Sequence, residues 1–164
     1  MTSIRQAAET DIPQITSIYA HYVVHTDISF ETVAPAAEEM LRRFRDITPY
    51  APYLVAIDAG GNVVGYCYAH PWKERAAYCH TLETTVYLAP TVCGHGIGTQ
   101  LMQALIEACR RSTDAHVLIA CITHGNEASC RLHAAVGFTQ VSHFHQVGRK
   151  GGRWLDVVDY ELVL

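Results

Sequence analysis

The sequence predicts a mixed α/β domain built on a mainly antiparallel sheet, and three observations carry that prediction. β-branched and aromatic runs alternate with segments whose apolar residues recur at helical spacing. One alternation, strand 84–88, helix 96–111 and strand 117–122, is a crossover, and a crossover joins parallel strands. The remaining strands fall in pairs joined by turn signals, Asp58-Ala59-Gly60-Gly61-Asn62 in the first half and Lys150-Gly151-Gly152 in the second. Two central strands should therefore run parallel in an otherwise mainly antiparallel sheet.

Each element has its own justification. Ser3 to Ala7 is a short strand. Thr10 to His25 reads as a helix with Ile12, Ile15, Ile18, Tyr19 and Tyr22 at helical spacing, Thr10 as its N-cap and Asp11 favourable to its dipole. Pro35, at a first helical turn, opens a second helix to about Ile47, with Met40, Leu41 and Phe44 on one face. Tyr53 to Ile57 and Val63 to Ala69 form the first hairpin, and the basic loop Pro71-Trp72-Lys73-Glu74-Arg75 leads into the strand Thr84 to Leu88. The helix from Gly96 to about Arg111 carries Ile97, Leu101, Leu105 and Ala108 on one side. Val117 to Ile122 is wholly apolar, hence a buried strand. Asn126 to Val136 is a short helix closed by Gly137, the expected residue past a helix end. Two strands, Phe138 to Val147 and Arg153 to Leu164, finish the chain. With no repeat, linker or low-complexity tract, residues 1–164 read as one domain.

Composition excludes several function classes. A net charge of −4, with no basic cluster denser than Arg149-Lys150, gives no support for nucleic-acid binding. No apolar leader follows Met1 and no run of ~18 apolar residues occurs, so a cytoplasmic protein without membrane association is expected. The six cysteines form no C-x-x-C pair and sit among apolar neighbours, which predicts reduced, buried thiols. Among the ten histidines, His143 and His145 share a strand face without a third ligand nearby in sequence. No metal site is expected.

The stretch Leu82 to Gln100 carries the strongest chemical signal. Its strand runs through a Pro90 break into glycines on alternate positions (Gly94, Gly96, Gly98) and then into a helix. Such glycines allow a tight turn and leave backbone N–H groups uncovered, while the helix start adds unpaired N–H groups and the positive end of its dipole. That junction is an anion site suited to phosphate. It is not a nucleotide P-loop, because Thr99-Gln100 follows Gly98 where Lys-Ser/Thr is needed, and G-x-G-x-G is not the dinucleotide spacing. Glu83, an acid within an otherwise uncharged run, stands beside this loop. A second constellation, Asn126, Ser129 and His133, lies on one face of the next helix and suits hydrogen bonding to an amide-bearing ligand and proton donation near neutral pH.

The order Glu83, Val86-Tyr87-Leu88, Gly94-His95-Gly96-Ile97-Gly98-Thr99, Asn126, Ser129 and Gly137-Phe138 resembles the GNAT acyl-CoA N-acyltransferase superfamily over nearly the whole chain. The likeness is closer to the phosphinothricin N-acetyltransferase type, with relatives that acetylate methionine sulfoximine or methionine sulfone. It rests on Pro71 to Tyr78, Leu82 to Tyr87, Arg131-Leu132-His133, Gly148-Arg149-Lys150 and Trp154 to Val157. The resemblance implies a sheet with one splayed parallel pair, helices on both faces, acetyl-CoA as co-substrate, a small amino-acid substrate and a homodimer, for which the apolar Tyr160 to Leu164 offers a contact. It implies that the Val86, Tyr87 and Leu88 backbone pairs with the pantetheine amides. The backbone of Gly94, His95, Gly96, Ile97, Gly98 and Thr99 would hold the pyrophosphate, with Asn126 and Ser129 on the cofactor arm. Cys93 departs from the Gln or Arg that usually opens the loop, which should weaken affinity modestly. His133 stands where the superfamily usually has a tyrosine general acid, and Phe30 resembles the aromatic wall of the substrate site.

Acyl transfer to an amine adds its own requirements. An ammonium ion cannot attack a thioester, so a base is needed, and Glu83, directly or through water, is the candidate. A strand N–H near Val86 would meet the negative charge developing on the acetyl oxygen. The thiolate leaves readily, so His133 would assist and is not required. An anionic substrate calls for arginine; Arg75 is the candidate, with Lys73 second. Three other readings compete: a polyamine acetyltransferase, a protein N-terminal acetyltransferase, and an acyl-CoA sensor without turnover. A sensor would need neither Glu83 nor Arg75, and a polyamine enzyme would want an acidic groove where this chain has a basic loop.

Overall fold

In the computed structural model, which describes residues 2–164, the chain folds around one eight-stranded sheet. The elements in order are β1 (Ser3–Gln6), α1 (Ile12–His25), α2 (Ala37–Ile47), β2 (Tyr53–Ile57), β3 (Val63–Pro71) and β4 (Thr81–Leu88). There follow α3 (Ile97–Ser112), β5 (Val117–Thr123), α4 (Glu127–Ala135), β6 (Thr139–Gln140), β7 (Phe144–Lys150) and β8 (Arg153–Val163). The sheet order is β1-β2-β3-β4-β5-β8, with β6 and β7 each pairing β8. Every pair is antiparallel except β4–β5, the pair that the α3 crossover joins.

The two-residue period of the strands sorts side chains onto two faces. Leu54, Ala56, Cys67, Leu118 and Ala120 lie on one face, beneath Leu101, Met102, Leu105 and Cys109 of α3. Tyr53, Val55, Val63 and Tyr66 lie on the other, beneath Ile15, Tyr19 and Val23 of α1 and Met40 and Phe44 of α2. Helices therefore cover both faces. Each fully buried Leu, Ile or Val contributes ~1.5–3 kcal/mol of transfer free energy, which holds the helices to the sheet.

Several element ends differ from the sequence prediction. A 3₁₀ turn, Glu9–Asp11, precedes α1, so Thr10 does not cap it. Asp11 instead takes two hydrogen bonds of 2.8 Å from the Arg5 guanidinium and one of 2.8 Å from the Ala8 N–H. Pro35 lies ahead of α2, whose N-cap is Ala36. The strand expected over 138–147 is broken, because Val141 and Ser142 turn their N–H groups onto the Asp159 carbonyl and the Ser142 hydroxyl accepts from Asp159 N–H. The apolar tail Tyr160 to Val163 is part of β8, paired to β5 on one side and, at Tyr160 and Glu161, to β6 on the other, with Val163 exposed at its end. Only Cys67 and Cys109 are buried; Cys79, Cys93 and Cys121 are exposed and Cys130 is intermediate.

Candidate active site

The parallel ladder of β4 and β5 is short, pairing only Thr81, Leu82 and Glu83 with Val117, Leu118 and Ile119. Beyond it the Thr84 hydroxyl still reaches the Ile119 carbonyl at 3.2 Å, and then the strands separate. β4 stays paired to β3 as far as Leu88. Ala89 donates its N–H to Val64 of that neighbour, so by strand alternation Val86 and Leu88 direct their backbone groups toward the side that β5 has left. The Tyr22 hydroxyl takes up the Leu88 carbonyl at 2.6 Å. The result is a V-shaped notch with Glu83 at its vertex.

Two cavities meet at that vertex. The first, about 600 Å³, is lined by Thr84 to Leu88, Ala120 to Thr123, the glycine loop and one side of α4. The second, about 470 Å³, is lined by Tyr19, Ser29, Phe30, Glu31, Tyr68, His70 and Val157. Glu83, Thr85, Tyr87 and Cys121 line both. Glu83 is half-buried, and burial lifts its carboxyl above the ordinary carboxylate range, while His70 and the Cys121 thiol pull it part of the way back. His70 is its cross-strand partner on β3. Desolvation by the walls of the notch, together with Glu83 and Asp159, pushes the Cys121 thiol up, so it stays protonated beside the carboxyl.

The three loop glycines do different work. Gly94 and Gly96 have φ of +83° and +78°, the left-handed region, and face open space. Gly96 is the N-cap of α3, a helix with no acidic residue in its first turn, so the N–H groups of that turn and the dipole point into the first cavity uncompensated. Gly98 is a packing residue: a Cβ there would come within 2.6 Å of Leu132 Cδ1 on α4. His95 is exposed, its ring turned onto the Cys93 carbonyl at 3.0 Å. Ile97 is buried in the core, and Thr99 lines the cavity. Exposed Cys93 also lines it, with Sγ 3.7 Å from the Ala89 carbonyl.

On α4 the expected triple assembles, with roles more local than the spacing suggests. Asn126 is the N-cap, its Oδ1 accepting from Ser129 N–H at 3.3 Å. His133 is only 3% exposed. Its Nδ1 lies 2.8 Å from the Ser129 carbonyl, which only accepts, so Nδ1 carries the proton. Nε2 is then a bare lone pair, buried without a partner among the described residues. Burial lowers the His133 pKa against a smaller opposing effect of the Ser129 bond, so the ring is neutral at neutral pH. A neutral ring in this tautomer accepts a proton or hydrogen bond at Nε2 and has none to give there. The helix ends as Gly137 implies: Gly137 (φ +101°) donates to the Ala134 carbonyl and Phe138 to that of His133. This hooked end sets Phe138 against the His133 ring, edge to face.

A glycine loop at a helix start, a splayed parallel pair and an acid at its vertex define the site. The profile of a family described as an acetyltransferase (GNAT) domain matches residues 4–158. The chain belongs to the GNAT acetyltransferase family. It is 41% identical over 157 residues to a phosphinothricin N-acetyltransferase of Alcaligenes faecalis, covering 95% of this chain and 79% of that protein. It is 39% identical over 163 residues to an L-methionine sulfoximine/L-methionine sulfone acetyltransferase of Pseudomonas paraeruginosa, covering 99% and 94%. The crystal structure of a GNAT superfamily phosphinothricin acetyltransferase from Sinorhizobium meliloti, in complex with acetyl-CoA, superposes with a TM-score of 0.95 at 35% identity, covering 99% of this chain and 88% of that one. Acetyl-CoA is the co-substrate of GNAT acetyltransferases.

The residues expected to serve this GNAT acetyltransferase are not all brought together. Glu83, Val86, Tyr87, Leu88, Gly94, Gly96, Gly98, Thr99, Asn126, Ser129 and His133 all line the first cavity. Phe30 lines the second, its ring pressed onto Gly148, where any Cβ would collide with it at 2.1 Å. Arg75 lies outside both cavities, exposed at the start of a 3₁₀ turn, because the loop entering β4 folds over its own Trp72 and Tyr78. Lys73 stacks on that Trp72, 3.7 Å from the ring centre. Among the lining residues that escaped the sequence prediction are Tyr22, His70 and Cys121. The antiparallel register of β3 and β4 sets His70 opposite Glu83, and alternation along β5 places Cys121 beside the ladder end at Ile119.

Proposed function

We propose that this GNAT acetyltransferase moves the acetyl group of acetyl-CoA directly to the α-amino group of a small amino acid or analogue of the phosphinothricin, methionine sulfoximine or methionine sulfone type, with Glu83 as general base. The observation that carries this is the position of Glu83 on the wall shared by two cavities, one with an anion loop and one without. The cofactor side is fitted by uncovered N–H groups at Gly94 to Gly96 and by a strand edge at Val86 and Leu88 that no neighbouring strand fills. The amine side is fitted by the smaller cavity, with Phe30 as one wall and His70 near the base. A carboxyl lifted by burial is a stronger base than an ordinary one and takes the ammonium proton before the amine attacks. His133 orders the α4 side and accepts at Nε2.

A panel of free amino acids, polyamines and peptides, read by thiol release from acetyl-CoA, tests the substrate class. Turnover is expected with methionine sulfoximine, methionine sulfone or phosphinothricin, and little with polyamines or peptides. An active enzyme that accepts only the latter two refutes this reading.

Arg75 remains the arginine assigned to the substrate anion, an assignment supported by resemblance and by its place on the loop into β4. Because it lies outside the cavities of a single chain, reaching the substrate requires movement of that loop or a second copy of the chain, consistent with a homodimer. Arg75→Ala should raise the amino-acid KM roughly ten- to a hundredfold, the loss of one charge-assisted contact, and spare the acetyl-CoA KM. Unchanged amino-acid KM removes Arg75 from the site. A cytoplasmic location fits free amino acids and acetyl-CoA as substrates; no helix among the described residues is long and apolar enough to cross a membrane.

A further inference from the structure

Acetyl transfer leaves one side-chain cluster unused, near the start of β8. His143 Nε2 and His145 Nδ1 lie 2.9 and 3.1 Å from the same oxygen, Oδ2 of Asp156. The three donor atoms all fall within 4.8 Å of one another. The third ligand that the sequence spacing failed to reveal is thus supplied by the neighbouring strand. His124, just beyond β5, donates its backbone N–H to the Asp156 carbonyl at 3.0 Å, and its ring centre is 4.6 Å from that of His143. The His143 and His145 rings are 4.4 Å apart.

The backbone is bent to make this arrangement. Register slips between Phe144 and Gly148, and within the slip Gln146 adopts φ +55°, the only positive φ of a non-glycine among the described residues. Its N–H closes on the other Asp156 oxygen, Oδ1, at 2.8 Å. A left-handed non-glycine residue is energetically costly, and the contact it gains here is the one that orients the carboxylate. A ligand carboxylate whose second oxygen is held by a backbone donor has the outer support usual at metal sites.

We propose that His143, His145 and Asp156, with His124 beside them, bind one divalent transition-metal ion of the zinc type. Imidazole nitrogens with one carboxylate oxygen are the donors such ions favour, whereas magnesium and calcium favour oxygen alone. A bound ion replaces the two histidine–carboxylate hydrogen bonds, and His124 offers a further nitrogen. The cluster lies outside both cavities, but its chain neighbours Val157 and Thr123 line the second. The ion therefore ties the end of β5 to the β7–β8 bulge along the rim of the amine-side cavity.

Calorimetric titration of chelator-treated protein with zinc tests this, with magnesium as control. Cobalt(II) absorption serves as a second readout, since its visible d–d bands shift and strengthen when imidazole nitrogens replace water. One saturable equivalent of zinc is expected, with no magnesium binding. Affinity should fall at least about tenfold in His143→Ala and in Asp156→Asn, with loss of the cobalt bands. Asp156 also holds the bulge, so His145→Ala, whose side chain is 75% exposed, is the variant that leaves folding intact. Absence of zinc binding by the wild-type chain overturns the proposal. So does binding that is unchanged in both His143→Ala and His145→Ala, since the other histidines then account for it.

Discussion

Glu83→Gln should lower kcat by roughly 10²–10⁴-fold, the usual worth of a general base, and leave the acetyl-CoA KM little changed. The amide keeps the size of the side chain at the vertex of the notch and removes only its basicity. The pH profile gives the sharper check. Burial raises the Glu83 carboxyl, and the base works in its ionised form. Activity (kcat/KM) should therefore fall as pH drops through a value above the ordinary carboxylate range, and this acidic limb should disappear in Glu83→Gln. His133→Asn should cost less, on the order of tenfold, and keep the limb, since its Nδ1 proton is committed to the Ser129 carbonyl and a thiolate leaves without one. A limb that survives in Glu83→Gln and vanishes in His133→Asn reverses the two roles, making Nε2 of His133 the base.

Gly96→Val should raise the acetyl-CoA KM and Kd steeply, roughly ten- to a hundredfold, equivalent to one charge-assisted hydrogen bond lost. At φ +78° a β-branched residue is a genuine outlier, and its side chain stands in the open space over the first-turn N–H groups of α3. Either the turn relaxes and misdirects those donors, or the side chain covers them. Calorimetry with acetyl-CoA reads the loss directly, and wild-type affinity in this variant would remove the loop from the cofactor site. The amino-acid KM should be spared, since Gly96 does not line the second cavity. At Gly98 the same substitution acts differently, forcing Leu132 aside and loosening α3 from α4.

The crossover, both hairpins and the Gly137 helix end were legible because each depends on local chemistry: strand propensity, turn residues, a left-handed glycine. The parallel pair followed from connection length alone. Features set by distant partners were not legible. Asp11 displaces Thr10 at the start of α1 because Arg5 arrives from β1, and the strand after Phe138 breaks because Ser142 finds Asp159 on β8. The cysteines show a subtler limit. Cys121 sits in a wholly apolar strand yet is exposed, because an apolar wall made for a ligand and one made for the core have the same residue pattern. In the site, the glycines and Glu83 were marked by spacing and by charge. The tautomer of His133, which reverses what its ring can offer, depends on one carbonyl a helical turn away.

The short β4–β5 ladder has a thermodynamic consequence. A sheet whose central pair has only three rungs is, in its middle, an unfinished fold. An extended amide-bearing molecule in the notch acts as a temporary strand, so its binding energy is also folding energy. A ligand that binds only the folded chain adds about 2.7 kcal/mol at a hundred times its Kd, a large share of the margin a domain of this size possesses. An acetyl donor seated there would double as a structural part of the enzyme, and the resistance of the chain to unfolding would then rise and fall with the supply of its own reagent.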